Sequence, residues 1–234
     1  AVPYSEQDDL EVSVTASPSA DRTNPDGQRG ILEWDLTVPA GDKQEICDDA
    51  MSLLIAGHET SGAALSWIFA LLADHPAALE KCQNEVAGTN DVGEMNYLRA
   101  VVDEALRLYP PGYTLFLRQA TEDVDVAGIA VKKGELLQVI PYMTGRDSRF
   151  FDEPNQFRPE RFLTEPTWPF FANIPFSAGP RACTGHQFAL KEVSIIAAEL
   201  LRAFHPLLSG AFPDPDPKFS LRPQDGLPMI WKNR

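Results

Sequence analysis

FSAGPRACTG, Phe176 to Gly185, gathers one cysteine, one arginine and two glycines into ten residues. Directly after it, HQFALKEVSIIAAELLRAF repeats apolar residues at helical spacing. Cys183 therefore stands just before a predicted helix, where unpaired backbone N–H groups and the positive helix end favour an anion such as a thiolate. Gly179 and Gly185 permit a tight turn and the close approach of a flat partner. Arg181 places a positive charge two residues from the sulfur. Spacing alone leaves three readings open. Cys183 is a small buried residue in a Gly/Pro turn, a nucleophile with His186 or one of the three other histidines as its partner, or a ligand.

Upstream, MNYLRAVVDEALRLYPP puts Leu98, Val101, Val102, Ala105, Leu106 and Tyr109 at helical spacing, and Pro110-Pro111 ends the helix. A longer helix is expected from about Asp42, which can cap it, until Pro76 interrupts. Its second half is apolar on nearly every side and belongs in the core. Pro76 opens another helix to about Val86. VDVAGIAVKKGELLQVI alternates around Gly128 and Lys133-Gly134 as a small β-region with a hairpin. The proline-rich stretch from Ser148 to Phe170 has little regular structure, and PKFSLRPQDGLPMIWKNR suggests a last short hairpin. The fold class expected is mainly α with a minor β region.

The chain of 234 residues is long enough for one sizeable core, and its net charge of −14 argues against a nucleic-acid partner. The cysteines Cys47, Cys82 and Cys183 match no metal or redox spacing, which favours a reducing, cytoplasmic setting for a soluble chain. AVPYSEQDDLEVSV has neither a basic region nor an apolar run of a leader. Ala50 to Ala73 is the most apolar stretch, but His58-Glu59-Thr60-Ser61 splits it into runs too short for a bilayer, so a buried helix is expected. Residues 1–40 form an acidic, irregular N-terminal segment, and 41–234 the functional unit; the first fifty residues hold twelve acids and three bases.

FSAGPRACTG matches Phe-x-x-Gly-x-Arg-x-Cys-x-Gly, the haem-binding loop of the cytochrome P-450 family, at all six specified positions. Three further motifs follow the family's order. AGHETS, Ala56 to Ser61, resembles its long-helix motif; EALR, Glu104 to Arg107, its Glu-x-x-Arg; and Pro159 to Phe162 its Pro-Glu-Arg-Phe. The chain thus resembles the C-terminal, haem-binding portion of a P-450 fold over about Asp42 to Arg234.

The resemblance implies haem b held by Cys183 as proximal thiolate and sole protein metal ligand. Arg181 and Arg118 are implied as propionate partners, Phe176 as a shield beside the sulfur, and Gly179 and Gly185 as loop glycines. Glu59 and Thr60 are the implied distal proton relay, with small Ala56 and Gly57 leaving room for dioxygen. Glu104, Arg107 and Arg161 resemble the family's structural ion-pair cluster. Thr114 and Leu115 resemble one substrate-facing loop and Leu227 another. Gly145-Arg146-Asp147 departs from the family's His-Arg-Asp.

The implied activity is a haem-thiolate monooxygenase that inserts one oxygen atom from O2 into a hydrophobic substrate. Its electrons come from NAD(P)H through a reductase or ferredoxin-type partner. The family's N-terminal half has no counterpart here, so a separate chain supplying it and an anchor within it are both left open. The alternative is a non-enzymatic haem-binding fragment or regulatory half-protein.

Overall fold

The computed structural model describes residues 43–234, so the expectations for residues 1–40 and for a cap at Asp42 lie outside the described residues. The chain divides into two units, with the boundary between Ser52 and Leu53. Of the first, only the opening turns of a helix are described; there Ser52 Oγ donates to Asp48 O at 2.7 Å.

Helix α1 runs Lys43–Asp74, α2 Pro76–Gly88, α3 Asn96–Leu108, α4 Pro141–Thr144 and α5 His186–Ala203. The long helix ends where Pro76 cannot continue it, and the same proline sits at the first turn of α2, where its missing N–H is no loss. The second half of α1 is central: Trp67, Ile68, Ala70 and Leu72 are fully buried. Ile68 and Leu72 join Leu98, Val101 and Val102 of α3, Cys82 of α2, and Ala197, Ala198 and Leu201 of α5 in one core cluster. The first half differs from the expected buried helix. Leu53, Leu54 and Ile55 are 40%, 63% and 53% exposed, because no described element packs over them.

The start of α3 has no capping side chain of its own. Glu85 of α2 takes that role, accepting from the backbone N–H of Tyr97 and of Leu98, both at 2.8 Å. Two orphan donors are satisfied and a negative charge meets the positive helix end. Glu85→Ala is expected to lower stability by about 1–2 kcal/mol, read as a shift of the urea midpoint.

The β structure is four two-stranded antiparallel ribbons. Strand β1 (Arg118–Gln119) pairs with β4 (Leu136–Leu137), enclosing the hairpin of β2 (Val124–Val126) and β3 (Ile129–Val131). Strand β6 (Pro215–Pro217) pairs with β7 (Leu221–Pro223). The short hairpin expected in this last stretch forms at its head as β6–β7, while the end of the chain takes a longer-range pairing. The last strand, β8 (Met229–Asn233), lies along β5 (Phe204–Leu208), which leaves α5 without a loop. Pro223 ends β7, and Asp225 and Gly226 at φ +56° and +89° turn the chain toward β5.

Among the described residues no single helix is long and apolar enough to cross a membrane.

Candidate haem-binding site

The cysteine loop is built from its backbone. Ser177 N donates to Ile174 O at 2.9 Å, Ala182 N to Gly179 O at 3.0 Å, and Cys183 N to Phe176 O at 2.9 Å. Gly179 lies at φ +73°, a conformation that suits glycine, and Ser177 is held in the same region at +63°. The loop therefore closes back on Phe176 and presents Cys183 just ahead of α5. The Cys183 side chain is exposed, which removes the buried-residue reading. Phe176 stacks on the His186 ring, centroids 4.2 Å apart, and also touches the core. His186 is thus engaged as a packing partner at the root of the helix. Cys82 is the structural cysteine: it is fully buried, and burial, with help from Glu85, pushes its thiol far up, so it stays protonated.

The residues of α1 stand in a row with different partners. Ala56 is exposed and Gly57 is half-buried with open space around it. Thr60 Oγ1 bonds the carbonyl of Ala56 at 2.7 Å, a bond to the preceding turn that keeps its lone pairs available. Glu59 Oε1 accepts from Ser220 Oγ at 2.8 Å and lies 4.0 Å from Arg222 Nη1. Ser61 Oγ donates to Glu192 Oε2 of α5 at 2.7 Å, which fastens α1 to the helix that follows Cys183.

A cleft of about 480 Å³ opens beside this row, lined by His58, Glu59, Gly62 and Ala63 of α1 and by Arg222 and Leu227. Leu227 is thereby brought next to Glu59. Thr114 and Leu115 are half-buried and lie outside that lining; Leu115 N donates to Val139 O at 2.9 Å. Arg118 and Arg181 are exposed and have no carboxylate partner among the described residues. Arg118 donates to the carbonyl of Phe116 at 3.0 Å, next to the 89%-exposed Phe116 ring.

Glu104, Arg107 and Arg161 come together in the interior. Glu104 holds Arg107 through two bonds of 2.7 and 2.8 Å and Arg161 through one of 3.1 Å. The remaining Arg107 protons go to the carbonyls of Gly145, Pro154 and Gln156. The cluster also accounts for Gly145, because a Cβ there would stand 2.6 Å from the backbone oxygen of Arg107. Motif spacing alone showed neither this approach nor the bond from Ser220, which lies 161 residues from Glu59.

A family model described as Cytochrome P-450 matches residues 40–228. The chain belongs to the cytochrome P-450 family. Cytochrome P-450 4V2 of Homo sapiens is 37% identical over 173 residues, covering 69% of this chain and 33% of that protein. The geranylhydroquinone 3''-hydroxylase of Arnebia euchroma is 34% identical over 75% of this chain and 38% of its own length. The strychnine-10-hydroxylase of Strychnos nux-vomica is 35% identical over 74% and 36% respectively. This P-450 chain therefore spans about a third of the length of the curated relatives it matches.

The donor set fits the haem that the family implies. Among the described residues no three His, Cys, Asp or Glu side chains converge as a metal-binding group. A lone exposed thiol suits an iron whose other donors come from a macrocycle. Exposed apolar surface at Phe116 and Leu117, next to the Arg118 guanidinium, suits a flat apolar ring with an acidic edge.

Proposed function

We propose that this P-450 chain is the catalytic C-terminal portion of a haem-thiolate monooxygenase. It inserts one oxygen atom from O2 into a hydrophobic organic substrate. Electrons originate from NAD(P)H and arrive through a reductase or ferredoxin-type partner. The exposed Cys183 thiol, held at the mouth of a backbone-bonded loop, is the observation that carries this reading. When bound, haem b supplies dioxygen activation, which thiolate donation to iron favours. In this reading Cys183 holds the cofactor from one side, Phe176 walls the sulfur, and Arg181 and Arg118 take its propionates. Thr60 and Glu59 would carry protons between water and the distal side of the haem, with the Thr60 hydroxyl turning away from the Ala56 carbonyl to which it donates. Ala56 and Gly57 keep this part of α1 open. The relatives named as hydroxylases support oxygen insertion into a carbon skeleton.

The second reading is a haem-binding piece that needs another chain before it turns over. Leu54 at 63%, Phe170 at 71% and Phe171 at 69% exposure favour it, since soluble chains rarely leave large apolar surface uncovered.

Dithionite-reduced chain reconstituted with haem is expected to show a strongly red-shifted Soret band under carbon monoxide. Absence of that band, even with an N-terminal P-450 half co-expressed, would falsify the proposal. The two readings separate on turnover by the chain alone. Thr60→Ala is expected to slow the product-forming step by about 10²-fold and to divert electrons to released hydrogen peroxide. An unchanged ratio of peroxide to product would remove Thr60 from the relay.

A further inference from the structure

The motif pairs Glu59 with Thr60 but does not say what holds the carboxylate. In the fold, the donor to Glu59 Oε1 is Ser220 Oγ at 2.8 Å, and Ser220 is fully buried between β6 and β7. That hairpin is itself fastened. Trp67 Nε1 donates to Leu221 O at 2.9 Å, Leu221 N donates to Pro111 O at 3.0 Å, and Tyr113 Oη donates to Lys218 O at 3.3 Å. Trp67 also stacks on Tyr109, with centroids 4.0 Å apart. The Ser220 hydroxyl is therefore a fixed donor on a fixed element.

A competitor stands close by. Arg222 comes only to 4.0 Å from Glu59, is 45% exposed, and also leans toward Asp216 at 3.9 Å. A loose, half-exposed ion contact contributes little beside a short bond from a buried hydroxyl. The hydroxyl decides where the carboxylate sits. On the other side of Thr60, the Ser61–Glu192 bond holds the helix turn still.

We infer that Ser220 is a positioning residue for the Glu59–Thr60 relay: its hydroxyl pins the Glu59 carboxylate to the β6–β7 hairpin and keeps it from closing on Arg222. This role rests on the monooxygenase reading. Once the hydroxyl is gone, Glu59 closes on Arg222 as an ion pair, and its proton traffic with Thr60 is lost.

Two measurements test this. In urea unfolding of the full chain without haem, Ser220→Ala and Glu59→Ala are expected to be non-additive. The double variant should unfold near the midpoint of the weaker single variant, and strictly additive shifts would overturn the contact. In the haem-loaded protein, Ser220→Ala should raise peroxide released per electron pair severalfold. Ser220→Thr, which keeps the hydroxyl, should stay near wild type, and adding Arg222→Gln to Ser220→Ala should recover part of the coupling. A wild-type ratio in Ser220→Ala, or equal damage from Ser220→Thr, would overturn the role. A wild-type chain with no shifted Soret band would overturn the relay and this role together, while the unfolding cycle still reports the contact by itself.

Discussion

Glu104→Ala is expected to destabilise the chain by about 3–5 kcal/mol. The carboxylate and Arg107 have no exposed side-chain surface, and Arg161 is 4% exposed at its side chain. Removing the one acid strands two guanidinium groups in the interior. The carbonyls of Gly145, Pro154 and Gln156 still accept from Arg107, and those of Asp152 and Glu153 from Arg161, but none of them carries a compensating charge. Arg158 N, which donates to Glu104 Oε1 at 2.9 Å, loses its partner as well. A whole domain is stable by only about 5–15 kcal/mol, so the loss takes a large part of the margin. Glu104→Gln keeps the shape and one acceptor, and should fall between alanine and wild type. Urea midpoints followed by circular dichroism decide it. A shift below about 1 kcal/mol, the value of an exposed pair, would mean that the cluster is open to water.

Cys183→Ala is expected to abolish haem retention and with it the red-shifted carbon monoxide band. The thiol is exposed and takes no described hydrogen bond, so the substitution should leave the urea midpoint of the haem-free chain unchanged. That separation matters, because a buried cysteine behaves in the opposite way. Cys82→Ala removes a fully buried sulfur from the core and should cost stability while leaving the haem spectrum intact. Haem retained by Cys183→Ala with an unchanged spectrum would refute the ligand assignment.

The helices were legible because their signals are local. Pro76 and the Pro110-Pro111 pair end helices within a residue or two, and α3 follows its apolar spacing from Leu98 to Leu106. The last strand was not legible. Its partner, β5, begins at Phe204, where the amphipathic pattern of α5 runs on into an apolar residue that a helix would also accept. The burial of α1 was only half legible. Leu53 to Ile55 are as apolar as Trp67 to Leu72, and composition cannot say which half has a neighbour.

At the candidate site the motifs named residues but not contacts. Glu104, Arg107 and Arg161 could be grouped from their motifs, yet the carbonyl cage around Arg107 comes from a loop 38 to 49 residues further on. Glu59 could be chosen from its six-residue motif, whereas its donor comes from a buried serine in a hairpin near the other end of the chain.

By itself, then, the sequence determined the helix ends set by prolines, the cysteine loop and the family, since prolines, apolar periods and short motifs act over a few residues. Only the tertiary structure decided which half of α1 is covered, which strand β8 joins, why position 145 is glycine, and what holds Glu59. Each of these depends on side chains brought together across tens to more than a hundred residues, where packing and buried hydrogen bonds choose the partner and local preference has no say.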